Sequence, residues 1–312
     1  MSTQRILLCP GQGAQTIGMG KAWYEQSAAA RAVFDQADAV MEPVLGEKLS
    51  TICFEGPAET LNKTNVAQPA IYTASIASLA GLKETWGEDL GLEATAGLSL
   101  GEYTALCIAG VFSFEDGLRL VEQRGRFMQE ACDASDGTMV ALIGADDAKA
   151  GEIAEGARQG GVLNCANYNA PGQVVLSGDR EACGRAVELA EGAAKELTVA
   201  GAFHSALMAP AAEKMRAALA AVAFATPQVA VVANVTAQPH VFEAGAADPG
   251  AAIKDLLVRQ ITESVRWSQS CAWLVANCGG EYHELCPGKV LSGLMRRINR
   301  PTKVTNHNVP AS

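Results

Sequence analysis

Short apolar runs alternate with longer segments of helical periodicity over most of the chain. Residues 6–9 are apolar and predict a strand, and the Val-rich residues 229–235 predict another. Residues 21–40 predict a helix, as do residues 69–83, which are nearly all apolar and suit a buried helix. Residues 254–277 predict two further helical pieces. This alternation is typical of an α/β fold with a mostly parallel sheet.

Residues 132–200 have a different order of elements. The predicted order is strand, helix, strand, strand, helix, strand, over residues 138–143, 147–158, 162–168, 173–177, 180–194 and 196–200. Residues 169–172, Asn-Ala-Pro-Gly, predict a turn between the two middle strands. This order defines a split βαβ, or ferredoxin-like, unit. We therefore predict a large α/β domain of residues 1–131 and 201–312, with a ferredoxin-like subdomain of residues 132–200 inserted into it.

Composition excludes several classes of protein. The 312 residues are 49% hydrophobic and 19% charged, which is not the composition of a disordered chain. No apolar run approaches the roughly 18 residues of a membrane span, and residues 1–10 hold too short an apolar run for a signal-peptide core. The net charge of −10 disfavours a nucleic-acid partner. We expect a cytoplasmic monomer that binds neither nucleic acid nor a membrane.

The nine cysteines are dispersed and contain no C-x-x-C pair. This usage is typical of reduced, mostly buried thiols in a reducing compartment. Cys278, His283 and Cys286 are close in sequence, but their spacing fits no zinc pattern and a clean set of four ligands is missing. We expect no metal and no other cofactor.

Residues 97–101, Gly-Leu-Ser-Leu-Gly, match the G-x-S-x-G pattern of a nucleophile elbow. In that element the glycines permit a sharp strand-to-helix turn, which brings the serine hydroxyl to a helix N-terminus. Residues 93–96 suit a weak strand and residues 102–112 a helix. Ser99 is therefore a candidate nucleophile, although an ordinary glycine-rich turn explains the pentapeptide equally well.

A second glycine-rich loop, residues 11–15, follows the first predicted strand. Its main-chain N–H groups suit an oxyanion hole, which needs donors close to a ligand oxygen. No Lys-Ser or Lys-Thr pair follows, and Thr16 stands where a dinucleotide fingerprint needs its third glycine. The sequence therefore allows two interpretations of this loop, an oxyanion hole and a plain structural turn.

Four histidines are available as a general base. His204 follows the last subdomain strand, where the inserted unit returns to the main domain and a cleft is expected. His240 lies in a polar loop, His283 in a predicted strand and His307 near the C-terminus. His204 is therefore the best candidate for a base, and the others are interpreted as surface or internally hydrogen-bonded histidines.

Arg124 occupies an unexpected position on a predicted helix that begins at Ser113. The apolar face of this helix holds Leu120, Val121, Arg124, Phe127 and Met128. The residues predicted to lie away from that face are Glu122, Gln123, Arg126 and Glu130. A buried guanidinium is costly unless it is paired, so Arg124 needs a carboxylate from the protein or from a ligand. A structural ion pair and a snorkelling arginine are the alternatives.

Taken together, these segments resemble the malonyl-CoA:acyl carrier protein transacylases of type II fatty acid synthesis. The resemblance covers nearly the whole chain and rests on the order and spacing of short motifs. They are residues 10–15, 68–70, 97–103, 124–125, 167–173, 202–205 and 287–291. The resemblance implies an α/β-hydrolase-like core with a ferredoxin-like subdomain, in agreement with the segmentation above.

The resemblance implies a role for each candidate residue. Ser99 would be the nucleophile and His204 its general base, with the main-chain carbonyl of Gln260 orienting the histidine. The main-chain N–H groups of Gln12 and Leu100 would form the oxyanion hole.

The resemblance also implies the substrates. Arg124 would hold the malonyl carboxylate in a bidentate pair, and residues 202–205 look like the malonyl-type specificity motif. The partners would be malonyl-CoA and acyl carrier protein, joined through a malonyl-serine intermediate. A serine hydrolase and a non-enzymatic module that binds carrier protein are the alternatives, and fatty acid and polyketide synthesis are both open as the pathway.

Three features depart from the family pattern or are not explained by it. Many members have histidine before the nucleophile, where this chain has Leu98, so that position has no proton role here. Cys286 stands where glycine is frequent. A basic cluster near the C-terminus suits either a solvated helix face or an anionic partner such as the carrier protein or the CoA phosphate. Its members are Lys289, Arg296, Arg297, Arg300 and Lys303.

Overall fold

The structure is a computed structural model that describes residues 4–310, and it contains two β-sheets. The strands are β1 (Arg5–Cys9), β2 (Leu92–Gly97), β3 (Gly137–Ile143), β4 (Leu163–Ala170), β5 (Gln173–Asp179), β6 (Ala194–Glu196), β7 (Ala230–Val232), β8 (Glu281–Leu285) and β9 (Val304–His307). The two sheets share no strand, so each is described separately below.

Helices connect and cover the strands. They are α1 (Lys21–Gln26), α2 (Ala28–Leu45), α3 (Leu49–Glu55), α4 (Ala58–Leu61), α5 (Thr64–Trp86), α6 (Gly101–Ile108), α7 (Phe114–Asp133), α8 (Asp147–Arg158), α9 (Arg180–Leu189), α10 (Ala209–Ala220), α11 (Ala251–Gln260), α12 (Trp267–Asn277) and α13 (Val290–Ile298). A short 3-10 helix, Ala206–Met208, precedes α10. Within residues 4–310, no helix is long and apolar enough to cross a membrane.

The first sheet is parallel throughout, with the strand order β7-β2-β1-β8-β9. β1 lies at its centre, which explains why its sequence is an unbroken apolar run. Leu7 and Cys9 belong to the larger hydrophobic core, whereas Ile6 and Leu8 belong to a second core on the other face. The predicted α/β fold with a parallel sheet is therefore confirmed.

The second sheet is antiparallel, with the order β4-β5-β3-β6, and α8 and α9 pack on it. Its chain order, β-α-β-β-α-β, agrees with the predicted ferredoxin-like unit. The predicted turn over residues 169–172 is narrower than expected, because Ala170 still belongs to β4 and only Pro171 and Gly172 form the turn.

The last strand of this sheet was predicted in the wrong place. The prediction put a helix over residues 180–194 and a strand over 196–200, but α9 ends at Leu189 and β6 already begins at Ala194. A tight turn at Glu191 and Gly192, both with positive φ, makes this early return possible. Residues 197–200 are consequently outside the sheet, and they line the cleft described below.

The N-terminal helical segment is also divided differently from the prediction. The helix predicted over residues 21–40 is interrupted at Ser27, whose backbone is extended. The side-chain oxygen of Ser27 caps α2 by accepting the N–H of Ala30. The helix predicted over 69–83 is α5, which is longer at both ends. The strand predicted over 229–235 is only the three residues of β7, while residues 254–277 hold two helices as predicted.

α7 confirms most of its amphipathic pattern. Ser113 caps the helix by accepting the N–H of Asp116, and Arg124 is 1% exposed. The prediction for Glu122 is wrong, because this residue is 7% exposed and its Oε1 lies 3.4 Å from Nε of Arg126. α7 packs against both α5 and α10, so the buried surface of the helix is wider than one apolar stripe.

Candidate active site

Ser99 lies in a strand–turn–helix element, directly after β2 and before α6. Its φ of 52° is in the left-handed region, which residues other than glycine rarely adopt. A Cβ at Gly97 would collide with the backbone of Gly101, and a Cβ at Gly101 would collide with the carbonyl of Cys9. Both glycines are therefore required by close backbone approach, which is the context that a nucleophile elbow needs.

The Ser99 hydroxyl contacts the imidazole of His204, with 2.8 Å between Oγ and Nε2. On the other side of the ring, Nδ1–H donates to the main-chain carbonyl of Gln260 at 2.7 Å. Because a carbonyl oxygen can only accept, the neutral ring has its lone pair on Nε2, facing the serine. Burial, with a further contribution from Arg124, lowers the pKa of His204 to about 4. The imidazole is thus neutral near pH 7 and can accept the serine proton.

Arg124 is buried beside this pair and has only neutral acceptors. Its guanidinium donates to Oε1 of Gln68 at 2.7 Å, to Oγ of Ser99 at 2.9 Å and to Oε1 of Gln260 at 2.8 Å. Its Nε has no hydrogen-bond partner among the described residues, and no carboxylate of residues 4–310 forms a salt bridge with it. A buried cation without a contacting anion next to a nucleophilic serine suits an acyl group that ends in a carboxylate.

Two main-chain donors lie near the elbow. β1 and β2 are parallel neighbours, so the loops that follow them meet at the same edge of the sheet. Gly11 touches the elbow closely, since a Cβ there would collide with the carbonyl of Leu98. Within the described part of the chain, the N–H groups of Gln12 and Leu100 donate to no protein acceptor. They are therefore available to an oxyanion, as that role requires.

A cleft of about 700 Å³ opens over Ser99. Gln12, Ser99, Arg124 and His204 all line it. The antiparallel sheet and its flanking segment provide the opposite wall, which includes Met139, Asn167, Val175, Leu197 and Val199. The side chain of Leu100 and the whole of Gln260 lie behind the cleft, both fully buried. The structure thus brings all six predicted site residues together, four of them at the surface of the cleft.

Four further residues belong to this site and were given no role from the sequence. Gln68 contacts Arg124, and Asn234 accepts the N–H of Ser99 through Oδ1 at 2.7 Å. Glu102 and His240 form a buried pair, with 2.6 Å between Oε1 and Nε2. Asn234 was detectable as a polar residue in a Val-rich run. His240 lies in a loop as predicted, and its buried side chain is of the internally hydrogen-bonded kind rather than the surface kind.

The basic cluster divides into two kinds of residue. Arg297 donates to the main-chain carbonyl of Pro171 at 3.1 Å and is therefore held against the turn between β4 and β5. Arg296 and Arg300 are exposed. They lie on or just after α13, whose Val290 and Leu294 line the cleft, but neither arginine lines the cleft itself.

The described residues contain no group of three or more His, Cys, Asp or Glu side chains that could hold a metal ion. All nine cysteines are free, and seven of them are buried. Burial raises the pKa of each thiol above its usual value. Ser99, by contrast, has a neutral imidazole in contact with its hydroxyl, as a serine nucleophile requires.

Fold and site together define an acyltransferase, and known proteins agree. The acyl transferase domain family matches residues 6–280, and the chain belongs to that family. A malonyl CoA-acyl carrier protein transacylase of Bacillus subtilis (strain 168) is 43% identical over 301 residues, covering 95% of this chain and 90% of that protein. The crystal structure of an acyl-carrier-protein-S-malonyltransferase from Bartonella henselae is 43% identical with a TM-score of 0.89, over 98% of this chain and 95% of that one.

A further solved structure is informative because it contains a partner. It is described as a type II PKS acyl-carrier protein in complex with its malonyl-transacylase. It is 36% identical to this chain with a TM-score of 0.88, and the match covers 99% of this chain and 97% of that one.

Proposed function

We propose that this protein transfers the malonyl group from malonyl-CoA to the phosphopantetheine thiol of acyl carrier protein. The observation that carries the proposal is the convergence of the Ser99 hydroxyl, the His204 imidazole and the Arg124 guanidinium within one cleft. The first two suit acyl transfer, and the third suits an acyl group with a terminal carboxylate. The activities named for the relatives support the same pair of substrates.

In the first half-reaction, His204 takes the hydroxyl proton on Nε2 as Oγ of Ser99 attacks the thioester carbonyl. The N–H groups of Gln12 and Leu100 stabilise the oxyanion of the tetrahedral intermediate. When the C–S bond breaks, the CoA thiolate receives the proton from Nε2. The product is a malonyl ester of Ser99, and Arg124 holds its carboxylate.

The second half-reaction reverses these steps with a different thiol. The phosphopantetheine thiol of the carrier protein gives its proton to Nε2 of His204 and attacks the ester carbonyl. The same two N–H groups bind the second oxyanion. Collapse of this intermediate breaks the ester bond, and Oγ of Ser99 recovers its proton from His204. The cycle uses no metal and no redox cofactor.

We also propose a cytoplasmic monomer in which residues 132–200 form a subdomain over a large domain of residues 1–131 and 201–312. The position of the cleft between the two sheets supports this division, because the carrier-protein arm would enter between the two parts. Both fatty acid and polyketide synthesis supply carrier proteins of the required chemistry, and the proposal covers either.

Incubation with labelled malonyl-CoA in the absence of carrier protein tests the proposed function. A transferase accumulates one malonyl ester on Ser99, and the label moves to carrier protein when holo carrier protein is added. A serine hydrolase instead releases free malonate continuously, since water resolves the ester. A protein that only binds carrier protein acquires no label. Either of the last two results contradicts the proposal.

A further inference from the structure

A buried carboxylate lies behind the residues that line the cleft. Glu102, in the first turn of α6, is 1% exposed and does not line the cleft. Its Oε1 accepts Nε2–H of His240 at 2.6 Å. Its Oε2 accepts the side-chain amide of Gln260 at 2.6 Å and the main-chain N–H of Asn234 at 3.3 Å. Three donors therefore compensate a charge that would otherwise be costly to bury.

The side chain of Gln260 joins this carboxylate to the site. Its NH₂ group donates to Glu102 and to the main-chain carbonyl of Ser99, while its Oε1 accepts from Arg124. A carboxylate only accepts and a guanidinium only donates, so the amide has a single orientation that satisfies both neighbours. The main-chain carbonyl of the same residue accepts Nδ1–H of His204. Glu102 thus fixes the residue that contacts both the base and the arginine.

We propose that Glu102 is a positioning residue whose charge, acting through the amide of Gln260, is the counter-charge of Arg124 until a substrate carboxylate binds. The intervening amide is the important feature. A carboxylate in direct contact with Arg124 would compete with the substrate for the guanidinium, whereas a carboxylate one amide away stabilises the cation and leaves it with neutral hydrogen-bond partners and an Nε–H that has no partner among the described residues. This inference rests on the proposed function, because it assumes that the guanidinium of Arg124 binds the malonyl carboxylate.

Glu102→Gln tests the proposal, with Glu122→Gln as the matched control. Both positions hold a buried carboxylate, but Glu122 pairs with Arg126, outside this network. A glutamine at 102 donates as well as accepts, so the amide of Gln260 loses its single orientation. We expect malonyl loading of Ser99 to slow by about tenfold to 100-fold, the cost of a misplacement of about 1 Å.

The ratio of malonyl to acetyl loading distinguishes positioning from a general structural role. Acetyl-CoA has no carboxylate for Arg124, so its loading depends on the network only through His204 and should slow less. We expect the malonyl-to-acetyl ratio, measured in single turnovers by intact-protein mass spectrometry, to fall in Glu102→Gln and to stay unchanged in Glu122→Gln. A folded Glu102→Gln variant with an unchanged malonyl-to-acetyl ratio, whether both rates fall equally or neither falls, would overturn the role of Glu102.

His240→Leu provides a second test if Glu102→Gln does not fold. It removes one donor to the carboxylate and keeps the contact between Glu102 and Gln260, so the ratio should fall in the same direction but by less. An unchanged ratio in this variant also overturns the proposal. A wild-type protein that loads no malonyl group would instead overturn the proposed function, so the two failures are distinguishable.

Discussion

Two sites within residues 4–310 hold buried or half-buried histidines, and one of these two sites is arranged for chemistry. In the cleft, His204 contacts a serine hydroxyl through Nε2 and a main-chain carbonyl through Nδ1. In the second site, which joins β8 to β9, Nδ1 of His283 lies 3.0 Å from Nε2 of His307. The ring of Trp86 packs on both, with centroid distances of 4.8 and 5.3 Å. Burial is the main cause that lowers the pKa of all three imidazoles to about 4.

A lowered pKa and burial therefore do not identify a general base by themselves. The neighbours decide, because a general base needs a proton donor that reacts and an acceptor that orients the ring. His204 has both, and its φ of 58° shows that the backbone is held in an unusual conformation to present it. His283 and His307 contact each other and an aromatic ring, and Oε2 of Glu281 lies 3.7 Å from Nε2 of His283, but neither ring contacts a hydroxyl or thiol of the described residues, so their pairing is structural.

Removing the proposed nucleophile, Ser99, gives the largest expected effect. Ser99→Ala should fold normally and acquire no malonyl group from malonyl-CoA, because the nine thiols have raised pKa values and none replaces the serine. Intact-protein mass spectrometry measures the adduct, with Ser135→Ala, outside the cleft, as the control. A malonyl adduct on Ser99→Ala would show that another side chain is acylated.

Alanine variants of the two kinds of histidine separate the two sites directly. His204→Ala should slow formation of the malonyl-serine ester by about 10²–10⁴-fold, the usual contribution of a general base. His307→Ala should change the same rate by less than about threefold, far below the usual contribution of a general base, because His307 touches no residue of the cleft. Similar rates in the two variants would remove the distinction between the catalytic and the structural histidine.

Arg124 should control which acyl group is transferred. Breaking a buried charged pair costs about 2–5 kcal/mol, so Arg124→Ala should lower kcat/KM for malonyl-CoA by roughly 30-fold to 5,000-fold. Transfer from acetyl-CoA should stay the same or rise, because the acetyl group has no carboxylate. Arg124→Lys should rescue poorly, since lysine lacks the planar fork. Equal losses with both substrates in a folded variant would show that Arg124 is structural.

The buried His204 and His283 and the half-buried His307 should also make the fold sensitive to acid. Each has a pKa of about 4 in the folded protein, below the unfolded value of 6.5, so the unfolded chain binds more protons between these values. Stability should be intact above about pH 6.5 and should fall as the pH drops towards about 4. In His307→Ala the free energy of unfolding should fall less steeply with decreasing pH. The difference in slope has an upper limit of about 1.4 kcal/mol per pH unit, and partial exposure of the site keeps it below that limit.

Urea unfolding of wild type and His307→Ala at pH 7 and pH 5 measures this difference. The wild type should lose more stability than the variant between the two pH values. An identical loss in both would mean that the pair between β8 and β9 does not contribute to the acid sensitivity.

The smallest effect is expected in the basic cluster on and after α13. Arg296→Glu combined with Arg300→Glu should raise KM for acyl carrier protein a few fold and flatten its salt dependence, because exposed charge pairs contribute less than about 1 kcal/mol each. Arg297→Gln is the comparison, since this residue contacts the turn at Pro171. An unchanged KM for both substrates in the double variant would exclude the cluster from docking.

Local patterns in the sequence determined much of this protein. Three features involve only neighbouring positions and are therefore visible in the chain itself: the apolar run of β1, the close approach of Gly97 to Gly101, and the cap of α7 at Ser113. The burial of Arg124 followed from the period of α7 in the same way. The early β6 was missed because a turn with positive φ at Glu191, a residue other than glycine, leaves little trace in sequence.

Only the tertiary structure decided what surrounds Ser99 and Arg124. The sheet order β7-β2-β1 places Asn234, which follows β7, against the backbone of Ser99, although 135 residues separate them. The same packing brings Gln260 to Glu102 across 158 residues. Periodicity shows which face of an element is buried but not which polar group will meet it there. Hydrogen bonds between distant buried groups therefore exist only once the sheet order and the packing of its helices are set.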